Sequence, residues 1–121
     1  MRNTINILGS EWEILRQSDK ENPKLKNADG LCECYSKKII IRKLEDDVMN
    51  FDNLDAYEHK VLRHEIVHAF LHESGLCSNC DWADNEEMVD WVACQYPKFS
   101  DAFHVGADIL RDMLQNEESE E

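Results

Sequence analysis

The chain has 121 residues, of which 13 are basic and 26 acidic, giving a formal net charge of −13. That length suits one domain with one real core, and so acidic a surface repels phosphate backbones, which argues against direct nucleic-acid binding. No run of about 18 apolar residues occurs, so no membrane-spanning helix is expected, and the first residues lack the long apolar stretch of a secretory signal. The five cysteines, an odd number with no signal before them, read as reduced thiols of a cytoplasmic protein rather than a disulfide framework.

In chain order, residues 4–8 and 11–15 read as two short strands around the turn signal Gly9-Ser10, forming a hairpin. Residues 18–30 are polar, contain Pro23 and Asp29-Gly30, and read as loop. Residues 31–35 and 37–42 read as two further strands. The second has a β-branched run flanked by lysines and arginine, the mark of an edge strand. An edge beside a cleft can pair with an extended peptide, although a lysine-protected edge needs no such partner.

Residues 44–52 are acidic and read as loop. Asp52 or Asn53 is placed to cap a helix that starts near Leu54 and is stopped by Gly75. Residues 76–83 read as loop, and Asp84 as an N-cap with Glu87 completing a capping box. The helix that follows is expected to end near Pro97. Ser100 then caps a last helix over 101–115, with Phe103, Ala107, Ile109, Leu110 and Met113 on its apolar side. Residues 116–121 read as an acidic, disordered tail. The expectation is an α+β fold: a small N-terminal sheet of three to four strands followed by three helices, in a single domain spanning 1–115.

The first long helix carries His64-Glu65-Ile66-Val67-His68, an H-E-x-x-H pattern. Residues four apart lie one above the other on a helix face, about 6 Å apart along the axis. Two imidazoles so placed can bind one zinc ion, and Glu65 beside them can act as general base toward a water activated by the metal. Val61, Leu62, Ile66, Val67, Ala69, Phe70 and Leu71 make the helix apolar around most of its circumference, so it is expected to be central and buried. Buried histidine and glutamate require partners, and a metal supplies them.

A catalytic zinc takes three protein ligands. His72 lies about 12 Å along the axis from His64, too far to share the ion, and reads as a cleft-wall or core residue. On the next helix Glu86 and Asp90 share a face. Glu86 is favoured over Glu87 as third ligand, with Asp90 accepting a hydrogen bond from the far nitrogen of a ligand histidine. The competing reading is a solvated acidic first turn that suits the helix dipole.

This arrangement, His64-Glu65-x-x-His68 followed by Glu86-x-x-x-Asp90, resembles the gluzincin branch of zinc metallopeptidases. The short chain, the run from His64 to His72 and the segment Trp82-Ala83-Asp84-Asn85-Glu86-Glu87-Met88-Val89-Asp90-Trp91 resemble more specifically the ImmA/IrrE-like metallopeptidases of bacteria, phages and mobile elements. The resemblance covers roughly residues 31–96. It implies a minimal zincin fold and cytoplasmic, site-specific endopeptidase action, often on a repressor or other regulatory protein. The DNA-binding or sensor domain that can accompany such peptidases has no counterpart in this sequence. Zn²⁺ would be held by His64, His68 and Glu86, with Glu65 as general base. Tyr57, His72, Tyr96 and His104 are all candidates to stabilise the oxyanion.

Cys32-Glu33-Cys34 and Cys77-Ser78-Asn79-Cys80 could together form a second, structural metal site, or be unlinked thiols; Cys94 reads as core. Trp12, Trp82 and Trp91 read as core or cleft wall. Two other functions fit the composition and motif. One is a non-enzymatic acidic binder or inhibitor of a nucleic-acid-handling protein, with a structural metal site. The other is a metal-dependent hydrolase acting on something other than peptide.

Overall fold

The computed structural model describes residues 2–44 and 54–120. The caps expected at Asp52 or Asn53, and all but the start of the acidic 44–52 stretch, lie outside the described residues. The order of elements is β1 (Thr4–Ile7), β2 (Ser10–Gln17), a 3₁₀ turn, β3 (Gly30–Glu33), β4 (Lys38–Arg42), α1 (Leu54–Glu73), a short α2 (Leu76–Asn79), a second 3₁₀ turn and α3 (Glu86–Glu120). This is an α+β fold, a four-stranded N-terminal sheet followed by helices.

β1 and β2 form an antiparallel hairpin with Ile7 paired to Ser10. Its two-residue turn holds Leu8 at φ 50° and Gly9 at φ 92°. Positive φ at both central residues is the twist that suits a tight hairpin, and Asn6 Oδ1 accepts from the Gly9 N–H at 3.1 Å.

The sheet order is β1-β2-β4-β3, with β4 parallel to β2 and antiparallel to β3. β4 is therefore an interior strand, not the edge that its flanking charges suggested. Ile39, Ile40 and Ile41 are all buried. Successive side chains point to opposite faces, so three consecutive buried isoleucines require cover on both faces. The outer strands are β1 and β3.

α1 lies across one face of this sheet. Val61 and Ala69 join Ile7, Trp12, Ile39 and Ile41 in the core. Two polar clamps fix its axis over the strands. Near its start, Arg16 Nε and Nη2 reach the Glu58 carboxylate at 2.7 and 3.0 Å. At its end, Glu73 accepts from Trp12 Nε1 at 2.8 Å and from Ser10 Oγ at 3.2 Å, with Lys37 Nζ at 3.2 Å. The histidines lie between these two ties. α1 is less enclosed than its composition suggests: only Val61, Glu65 and Ala69 are buried, one stripe at a spacing of four. Gly75, at φ 82°, ends the run as expected.

α3 packs on α1 and differs most from the sequence expectation. Its N-cap is Asn85, whose Oδ1 accepts from the Met88 N–H at 2.8 Å. Asp84 belongs to the preceding 3₁₀ turn, so the expected Asp84–Glu87 capping box does not form. The helix does not stop at Pro97 but continues as one element through the expected last helix and the acidic residues beyond it. Proline removes the N–H that would bond the carbonyl four residues back. That carbonyl belongs to Ala93, and Arg63 Nε on α1 donates to it at 2.7 Å. A tertiary hydrogen bond thus replaces the helical one. Beyond Ser100 the described side chains of α3 are all exposed.

Candidate metal centre

The register of α1 puts His64 and His68 on one face, with ring centroids 4.9 Å apart. The Asn85 cap makes Glu86 the first residue of α3, at the end that packs toward that face. Its carboxylate spans both rings: Oε2 lies 3.0 Å from His64 Nε2 and Oε1 lies 3.0 Å from His68 Nε2. One ligand atom from each of the three residues falls within 4.8 Å of the others. Among the described residues no other group of three or more His, Cys, Asp or Glu side chains converges in this way.

One turn further along α3, Asp90 Oδ1 lies 3.3 Å from His64 Nδ1 and 2.6 Å from Lys60 Nζ. Lys60 is the main cause holding the Asp90 carboxyl below the usual aspartate range, and His64 adds to it. An ionised Asp90 is placed to accept from a His64 Nδ1–H, the tautomer that frees Nε2 to bind a metal. Two imidazole nitrogens then face one carboxylate. Each ring can either donate an Nε2–H to that carboxylate or turn an Nε2 lone pair toward a metal shared with it. The donor set of two imidazoles and a carboxylate is the one a catalytic zinc takes, so the residues present fit the ion. The Glu86 side chain is 69% exposed, which leaves the outer side of the site open.

Glu65 is the one buried charged residue in the described structure, at 7% exposure. It sits under Gly30 at the start of β3. Burial pushes its carboxyl above the usual glutamate range; the two neighbouring imidazoles oppose that shift and Glu86 adds to it. A glutamate so placed is suited to take up a proton.

A cleft of about 330 Å³ opens here between β3, α1 and the start of α3, lined by Gly30, Cys32, His64, Glu65, His68, His72 and Glu86 among others. A somewhat larger hollow of about 430 Å³ lies near Leu15, Leu44 and Leu62, away from the imidazoles.

The four oxyanion candidates divide. Tyr57 lines a smaller hollow with His64, Glu65 and Glu86, but its hydroxyl donates to Asp29 Oδ2, and burial and Asp29 push its pKa up to about 12. His72 lines the main cleft, edge-on to Trp12 and Tyr35, with Nδ1 3.8 Å from Cys77 Sγ. Tyr96 faces a separate apolar groove beside Phe70 and Ile66, and His104 stands exposed on the outer length of α3. Neither of these two belongs to the site.

Of the two readings of the cysteine pairs, the described residues show no four-cysteine cluster. Cys32, Cys34 and Cys77 line the cleft and Cys80 does not, and the Cys32 and Cys34 sulfurs lie 3.9 Å apart. Burial is the main cause raising the Cys32 thiol, which keeps it protonated. Cys94 is exposed rather than core. Trp12 is fully buried, whereas Trp82 and Trp91 are about half exposed.

Two features of the site escaped the sequence reading. Gly30 appeared there only as a turn residue, and its role as the floor above Glu65 depends on β3 crossing α1. Lys60 carried one available signal, since it lies four residues before His64 on the same helix face.

No family model matches the chain, and no curated protein or solved structure is similar to it at a significant level. No helix among the described residues is long and apolar enough to cross a membrane.

Proposed function

We infer that the protein is a zinc-dependent metallopeptidase, an endopeptidase acting on a cytoplasmic regulatory protein and related to phage or mobile-element enzymes of the ImmA/IrrE-like kind. One observation supports this above the others: the Glu86 carboxylate meets both His64 Nε2 and His68 Nε2 at 3.0 Å, with a buried Glu65 between the two histidines in sequence. His64, His68 and Glu86 would hold the ion. Zinc when bound supplies Lewis acidity, lowering the pKa of water and polarising a carbonyl.

The chain's own residues divide the rest of the work. Asp90, held ionised by Lys60, orients the His64 ring. Glu65 takes the proton given up by the attacking water and returns it to the leaving amine. Among the described strands β3 is an outer one beside the cleft, so an extended peptide can add to its outer side and pass over Glu65. His72 is the cleft neighbour able to donate to the developing oxyanion, since the Tyr57 hydroxyl already donates to Asp29.

The test pairs metal analysis with a cleavage search. Purified wild type is expected to carry about one zinc per chain and Glu86→Ala to lose it. Glu65→Gln is expected to keep the metal and abolish cleavage in a proteome-wide comparison. A wild type that binds no metal, or cleavage that survives Glu65→Gln, would remove the peptidase reading. Metal binding with no cleavage in either protein would favour the acidic binder with a structural metal.

A further inference from the structure

The outer half of α3 extends past the body of the fold with every described side chain from Asp101 to Glu118 exposed. Its apolar residues, Val105 apart, are not scattered. Tyr96, Phe99, Phe103, Gly106, Leu110 and Met113 follow one another at alternating spacings of three and four. That is the repeat of a helix seam meant to meet another helix. Phe99 and Phe103 stack along it with ring centroids 6.3 Å apart. Phe103 is 73% exposed and Leu110 56%.

We propose that this seam is the interface of a homodimer, with the outer halves of α3 from two copies packed antiparallel about Gly106.

Charge placement selects a second copy. Between Tyr96 and Met113 the charged residues are Lys98, Asp101, Asp108, Arg111 and Asp112. All fall at repeat positions facing away from the seam. The positions flanking it include Ala102, Ala107, Ile109 and Leu114, none of them charged. A seam bordered by acids would call for a basic partner. This one is neutral to its edges and complementary to itself, so two copies of an acidic chain can meet there without opposing like charges.

Shape agrees. Gly106 sits in the middle of a long helix, where glycine costs roughly 1 kcal/mol relative to alanine. A Cβ there would meet nothing within 4 Å, so packing inside one copy does not require the glycine. With Ala102 and Ala107 it forms a low point where two helices can approach closely. Antiparallel packing about this point sets Phe99 level with Met113, and Phe103 level with Ile109 and next to Leu110, of the second copy. It brings Glu117 to the level of Gln95 and Lys98. Parallel packing would instead crowd the two acidic ends together.

Area is adequate as well. The half-exposed seam and its flanks present on the order of 700 Å² per copy, close to the ~800 Å² per partner of a standard stable interface. At the root of the seam lies an apolar groove of about 420 Å³ between Ile66, Val67 and Phe70 of α1 and Val92 and Tyr96 of α3.

The experiment is sedimentation equilibrium on the full-length chain across concentration and salt. Wild type is expected at about twice the chain mass of 14.2 kDa. Added salt should tighten the dimer by screening repulsion between two net-acidic bodies. Phe103→Glu and Leu110→Glu should each give monomers whose circular dichroism and metal content match wild type. Asp101→Asn, on the outward face, should leave the dimer intact. A wild type that stays monomeric at 100-fold above micromolar concentration would overturn the proposal. So would a dimer that persists in both glutamate variants.

Discussion

A Cβ placed on Gly30 would lie 2.9 Å from Glu65 Oε2 and 2.7 Å from Val61 Cγ1. The start of β3 therefore presses directly on the carboxylate proposed to move the proton. Gly30→Ala is expected to displace Glu65 and Val61, to cost about 1–3 kcal/mol of stability as overpacking does, and to lower turnover while zinc content stays at the wild-type level. Urea unfolding and metal analysis on the same preparation check both halves.

On the proposed reading, Asp90 acts on a bound metal through His64. Asp90→Asn weakens the hold on the Nδ1 proton and leaves Lys60 Nζ without its carboxylate at 2.6 Å. Zinc affinity is expected to fall about 10–100-fold, the usual cost of losing such an orienting carboxylate. A chelator competition titration measures it; an unchanged affinity would mean that Asp90 does not orient the ring.

Arg63 and Pro97 form a compensating pair through the Ala93 carbonyl. Arg63→Met leaves that carbonyl unsatisfied beside a fully buried Ala93, at a cost of about 1–3 kcal/mol. Pro97→Ala restores the helical N–H, so the same Arg63 substitution should cost clearly less in that background. The double-mutant cycle, read by denaturant unfolding, is expected to show coupling of the order of 1 kcal/mol. Strict additivity would show that the arginine bond does not carry the helix past the proline.

Acid stability should report on Glu73. Its carboxylate accepts from Trp12 Nε1 above all, and from Lys37 and Ser10, which hold it below the usual glutamate range. A depressed folded pKa contributes stability that is complete above the unfolded value, roughly pH 4.3, and is lost as pH falls through the folded value. Glu73→Gln should therefore flatten the fall in stability below that pH. Trp12 fluorescence follows the end of α1 directly.

Much of this protein follows from short-range pattern. Alternation and turn signals place four strands in the first 42 residues, and a spacing of four sets His64 and His68 on one face whatever surrounds them. Glu86 and Asp90 share a face for the same reason. These are consequences of backbone repeat, which a few neighbouring residues determine. Partnership between distant segments is another matter. Lysine-flanked β4 proved interior because the β3–β4 hairpin folds back beside β2, and α3 passed Pro97 because Arg63 reached it from another helix. Tyr96 and His104 fell outside the site because an uninterrupted α3 carries them away from it, while Gly30 entered because β3 crosses α1 at Glu65. The sequence by itself determined the side-chain types and their faces. Only the packing of α3 on α1 decided that the three side chains meet, since the angle between two helices is set by contacts that no local spacing encodes.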